Sequence, residues 1–121
     1  MSAQSPEKRK HTRVPFHAEA LVEGLDEVFR VQSNTRDICL DGLYLITHHR
    51  PPLNTRCGLT ITLTGPSSRL SIKVKSRVAR HDPQGVAFAF EGVDPDAYFH
   101  LKNLLLYNAA DPEAIQRESS L

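Results

Sequence analysis

The sequence predicts a mainly β protein: a small six-stranded antiparallel β-barrel with a C-terminal α-helix packed on it. Three observations predict this. From Phe16 to Phe90 the apolar residues recur with a period of two. Turn signals cut that stretch at Gly24, Pro51-Pro52, Gly65-Pro66 and Asp82-Pro83-Gln84-Gly85. Near residue 94 the period changes to that of a helix. Closing six strands into a barrel removes the exposed edges of an open sheet.

The elements follow in order. His17 to Glu23 reads as a strand ending at Gly24. Val28, Arg30 and Gln32 face one way in the next strand, and Phe29 and Val31 the other. Gly42 to Thr47 is a short, strongly apolar run. Leu59, Ile61 and Leu63 alternate with Thr60, Thr62 and Thr64, the clearest half-buried strand of the chain. Leu70, Ile72 and Val74 alternate with Ser71, Lys73 and Lys75, and the pattern runs on through Val78 to Arg80. Val86, Phe88 and Phe90 alternate with Ala87 and Ala89. Asp94-Pro95 then reads as an N-cap with proline at the first helical position. Tyr98, Leu101, Leu105 and Asn108 form the helix stripe, widened by Phe99 and Leu104 to Leu106. Asp111-Pro112 starts a second short helix or a tail. The expected division is a flexible basic tail over 1–13, the barrel plus helix over 14–110, and the terminal segment over 111–121.

Composition narrows the function. The chain's 121 residues make one domain, long enough to bury a core without staples. No run of about 18 apolar residues exists, so no membrane insertion is expected. The polar stretch from Met1 to His11 is no secretory signal. Cys39 and Cys57 form no CxxC pair, and a reduced, cytoplasmic setting is expected. The formal net charge is only +1. That sum hides an asymmetry: Lys8, Arg9, Lys10 and Arg13 oppose only Glu7 in the tail, so the barrel itself is slightly acidic. No HExxH, P-loop, GxGxxG or GxSxG motif is present, and the six histidines form no cluster with metal spacing. No enzyme, cofactor or metal is expected.

Two short constellations remain. The first is Arg9-Lys10-His11-Thr12-Arg13, two arginines four apart before the first strand. The planar guanidinium fork suits phosphate oxygens and the O6/N7 edge of guanine. Alone, such a segment is most simply a solvated basic tail. The second is Asp37-Ile38-Cys39-Leu40-Asp41-Gly42, read as a turn between two strands. A carboxylate there can accept from a guanine N1–H and N2 amino group. Gly42 permits a positive φ or a close backbone approach. Alone, this motif is most simply turn punctuation.

In this order, with this strand pattern, the two motifs resemble the PilZ domain, from about Lys8 to Asn108. Arg9 and Arg13 match the RxxxR arginines, and Lys8 stands where many members carry a further arginine. Asp37 and Gly42 match the ends of the [D/N]xSxxG motif. The strand Gly85 to Phe90 followed by an amphipathic helix is similar to the family's ending. The resemblance implies a PilZ-like barrel of split-barrel type that binds cyclic di-GMP, a bacterial second messenger tied to motility, adhesion and biofilm control. It implies ligand contacts from Arg9, Arg13, Asp37, Cys39 and Gly42. Lys8, Lys10, Val78 and Arg80 are additional candidate contacts, with Val78 offering a purine an apolar wall. Val14-Pro15 is the expected hinge on which the tail folds back. Cys39 stands where the family has serine; a thiol is the weaker donor, at an expected cost of about 0.5–1.5 kcal/mol.

The expected mechanism is ligand-driven ordering of the tail, read by an unidentified downstream effector protein. The alternative from another class is a PilZ-like interaction module that does not bind cyclic di-GMP. A barrel binding a nucleic-acid polymer is disfavoured, because the barrel is slightly acidic and its aromatic residues fit core positions.

Overall fold

The computed structural model describes residues 11–25, 28–64 and 69–119. The chain forms seven strands and two helices: β1 (Val14–Pro15), β2 (Glu19–Gly24), β3 (Arg30–Cys39), β4 (Gly42–Ile46), β5 (Arg56–Thr64), β6 (Arg69–Asp82), β7 (Gly85–Phe90), α1 (Pro95–Asn108) and α2 (Pro112–Ser119). The sheet order is β1-β3-β2-β5-β6-β7-β4, and β4 also pairs with β3. Strands β2 to β7 therefore close into the expected six-stranded barrel, entirely antiparallel, with β1 as an extra short strand on β3.

Alternation produces the core. Ala20 and Val22 of β2, Leu43 and Leu45 of β4, Leu59 and Ile61 of β5, Val78 of β6, and Val86 and Phe88 of β7 all point inward and are buried. Leu101 and Leu105 of α1 and Ile115 of α2 complete the same cluster. Asp94 caps α1, its carboxylate accepting from the Ala97 N–H at 2.8 Å. Phe99 does not widen the buried stripe; it is 59% exposed.

The structure departs from the sequence expectation in three places. Val14-Pro15 is not a hinge: Val14 is buried and pairs with Ile38, which anchors the chain just after the tail. Strand β3 runs on to Cys39 and so takes in Asp37, Ile38 and Cys39, which the sequence placed in a turn. Its polar stretch hid this, because Thr35 is a core residue. The Thr35 hydroxyl accepts from the Ala18 N–H and donates to the Phe16 carbonyl, so a buried polar side chain is satisfied. Third, Val78 is fully buried and offers no wall to a purine. A bulge between Val78 and Arg80 shifts the alternation by one, leaving Ala79 on the outside beside Arg80.

Two glycines allow β4 to lie against β7. A Cβ on Gly42 would stand 2.4 Å from the Phe88 carbonyl oxygen, and one on Gly85 2.1 Å from that of Leu45. Both neighbours are backbone and cannot turn aside. Gly85→Ala should therefore destabilise the barrel by about 1–3 kcal/mol, read as a lowered urea midpoint. Thr35→Val should cost about 1–3 kcal/mol in the same assay, because it strands the Ala18 N–H and the Phe16 carbonyl. A change within about 0.5 kcal/mol for either variant would contradict these assignments.

Candidate functional site

The outer face of β3, β4, β7 and β6 carries the site. Strand pairing sets Asp37 opposite Tyr44 and Cys39 opposite Gly42. It also sets Gly42 opposite Ala89 and Tyr44 opposite Ala87. The inward neighbours Ile38, Leu43, Val86 and Phe88 are core, so by alternation these residues point outward together. Gly42, Ala87 and Ala89 form a floor without bulk. Above it lies a shallow depression of about 170 Å³, reached by Arg13, Asp37, Cys39, Tyr44, Ala79 and Arg80.

The DxCxxG segment spans the end of β3 and a two-residue turn, Leu40-Asp41, with Cys39 and Gly42 paired across it. Asp37 is nearly covered, its side chain 13% exposed, and accepts from Arg36 Nε at 3.0 Å. Arg36 is the bulge residue between Thr35 and Asp37, and its guanidinium lies 3.8 Å from the Tyr44 ring centroid. The Tyr44 hydroxyl donates to Asp82. Burial pushes the Tyr44 hydroxyl above its ordinary value, and the neighbouring Asp82 adds to this. The Tyr44 hydrogen bond in turn holds the Asp82 carboxyl below the usual carboxylate range.

Cys39 is equally constrained. Its thiol donates to Asp41 Oδ1 at 2.9 Å and lies 3.4 Å from the Gly42 carbonyl oxygen. Burial, then the hydrogen bond to Asp41, pushes the thiol from 9.0 up to about 12. A neutral thiol is a weak nucleophile, so the geometry makes Cys39 a donor and not a reactive centre. Burial works to raise the Asp41 carboxyl, but the Cys39 thiol and His11 outweigh it and hold the group below its ordinary value. His11 Nδ1 stands 3.0 Å from Asp41 Oδ2 without the alignment of a hydrogen bond, so the contact is ionic when the ring is protonated.

Three consecutive residues thus pin the segment leading into β1. His11 meets Asp41, the Thr12 N–H and hydroxyl donate to Glu118 of α2, and Arg13 reaches the depression.

Of the residues singled out in the sequence, Arg13, Asp37, Cys39, Gly42 and Arg80 come together here. Val78 does not. Lys8, Arg9 and Lys10 lie outside the described residues. Gly42 serves the close approach of β7 rather than a positive φ. Sequence reasoning missed Tyr44, Arg36, Asp41 and the two alanines. The signal for Tyr44 and the alanines was their place opposite core residues in alternating strands. Among the described residues no group of His, Cys, Asp and Glu could hold a metal ion. No described helix is long and apolar enough to cross a membrane.

The chain is thus a closed six-stranded barrel whose outer face brings Arg13 and Asp37 to one depression floored by small residues. The chain belongs to the PilZ domain family, whose profile it matches over residues 7–107. A family of cyclic di-GMP receptors, it comprises receptor and adaptor modules rather than enzymes. Among solved structures, Bacillus subtilis MotI/DgrA, an inhibitor of motility, is similar at 12% identity with a TM-score of 0.69. The match covers 83% of this chain and 50% of MotI, so this chain spans about half of that protein's length. The PilZ domain of CeSA from a cellulose-synthesizing bacterium is similar at 16% identity with a TM-score of 0.61, covering 79% of this chain and 96% of that one. No curated protein matches the sequence.

The raised thiol has a consequence for stability. A group that holds its proton more tightly when folded stabilises the fold fully below its unfolded value, and that contribution is lost as pH rises through the folded one. For Cys39 the window runs from 9.0 to about 12. In urea titrations the wild type should therefore lose more stability across this window than Cys39→Ser, whose hydroxyl does not titrate there. Equal slopes for the two proteins would show that the thiol is not held in its neutral form.

Proposed function

We propose that the protein is a cyclic di-GMP receptor and adaptor that performs no catalysis. One observation carries the reading: Arg13 and Asp37, from two separate motifs, line one depression floored by Gly42, Ala87 and Ala89. The chemistry fits a dianion bearing guanines. Arg13, joined by Arg9, takes phosphate oxygens or the guanine O6/N7 edge through paired charge-assisted hydrogen bonds. Asp37 accepts from the guanine N1–H and N2 amino group, and Arg36 keeps its carboxylate oriented. The side-chain-poor floor lets a flat base lie close to the backbone. Arg80 borders the depression from the bulge on β6.

Cys39 takes the place of the family's serine, and its thiol, shared with Asp41 and Gly42, is a weaker donor to the ligand than a hydroxyl would be. Occupancy would bring Arg9 to the ligand beside Arg13 and change the charge of that face. A separate effector protein would read this change.

Calorimetry tests the reading. Wild-type protein should take up cyclic di-GMP saturably, while GMP and a single-stranded oligonucleotide should not compete. Arg13→Ala and Asp37→Ala should each weaken binding by at least about tenfold. Cys39→Ser should tighten it by about two- to tenfold, the equivalent of one restored hydrogen bond. No heat from the wild type at ligand concentrations of tens of micromolar would overturn the receptor reading and leave the interaction-module alternative standing.

A further inference from the structure

The barrel has a second outward surface, on β5 and β6, that the ligand site does not use. Ile72, Val74 and Ser76 of β6 are buried, so Ser71, Lys73, Lys75 and Arg77 face outward. Their partners on β5 are small or basic: Thr60 lies opposite Lys73, Gly58 opposite Lys75, and Arg56 opposite Arg77. A hollow of about 560 Å³ opens between this face and residues 91–94.

Three carboxylates reach the hollow, and each is engaged. Glu91 lies between Arg56 and Arg77, at 4.0 and 3.7 Å. Glu23 pairs with Arg30 at 4.0 Å, and Asp94 caps α1. Lys73 and Lys75 also line the hollow, yet neither forms an ion pair among the described residues. The two residues stand about 7 Å apart along one strand face, where like charges repel each other.

We propose that this face docks an acidic helix of a partner protein, with Lys73 and Lys75 each receiving one carboxylate. Acidic residues at i and i+4 on a helix stand about 6 Å apart, which matches the lysine spacing. The flanking Glu23, Glu91 and Asp94 favour discrete carboxylates over a polyanion, since a phosphate chain would run against them. The surface is continuous with the ligand depression, because Arg77 pairs through its backbone with Ala89 of the floor. The proposal rests on the adaptor reading for its need of a partner, and not on ligand binding.

The test is a ¹⁵N NMR titration of the full chain with a helical peptide carrying glutamates at i, i+4 along one face. A peptide of identical composition with its glutamates spread around the helix, a short DNA duplex and phosphatidylserine vesicles serve as comparisons. The expected shifts concentrate on residues 56–60 and 73–77. Lys73→Glu/Lys75→Glu should weaken docking by at least about tenfold, and the milder Lys73→Gln/Lys75→Gln should weaken it in the same direction. Lys73 and Lys75 are both exposed, and cyclic di-GMP calorimetry on the same variants should match wild type, which separates this surface from the ligand site. Equal binding of the two peptides, tighter binding of DNA or vesicles at these residues, or docking indifferent to both substitutions would overturn the proposal. Failure of cyclic di-GMP binding with peptide docking intact would instead count against the receptor reading alone.

Discussion

The structure depends on the close approach of β4 to β7. Strand β4 is the closing strand, hydrogen-bonded to β3 on one edge and β7 on the other. The approach is tightest at the two ends of the pairing, where Gly42 sits opposite Ala89 and Gly85 opposite Ile46. A side chain at either glycine would strike backbone. The same lack of bulk that lets the barrel close leaves a bare floor on its outer surface. Gly42 belongs to both features: it admits the β7 backbone, and with Ala87 and Ala89 it lines the depression.

Around that floor the polar groups are braced before any ligand arrives. Arg36 holds Asp37 and rests on Tyr44, Tyr44 is tied to Asp82, and Cys39 is tied to Asp41. Two of these contacts, both made by Arg36, come from an irregularity in strand pairing. One bulge presents Arg36, and another turns Ala79 and Arg80 outward. In the proposed receptor, bracing of this kind would lower the ordering cost of binding, because the Asp37 carboxylate is already fixed by Arg36. The segment leading into β1 is held by the ionic contact of His11 with Asp41 and by the two hydrogen bonds from Thr12 to Glu118.

The regular strands were legible because alternation is a strong signal where one face is buried. Leu59 and Ile61 against Thr60 and Thr62 read correctly on sight, as did the Asp94-Pro95 start of α1. Legibility failed where a polar residue does a core residue's job. Thr35 is buried and satisfied by two backbone groups, so β3 looked finished before Asp37. It failed again on β6, where Val78 keeps the inward phase of Ile72, Val74 and Ser76, and the bulge after it puts Ala79 and Arg80 outward together. Tyr44 was hidden for a third reason: it faces outward yet is almost fully covered by its neighbours. In the candidate site, the two motifs were visible as residue types in order. Their convergence on one face, and the alanines between them, required the register.

In the proposed receptor, Arg13, Asp37 and the Gly42–Ala87–Ala89 floor form one cyclic di-GMP site. Backbone amide shifts followed through a cyclic di-GMP titration map that site residue by residue. The largest shifts should fall on Arg13, residues 37–44, residues 79–80 and residues 87–89, with little change at residues 58–60 and 73–75. Shifts centred on β5 and β6, or no saturable shifts on the β3–β4–β7 face, would contradict it.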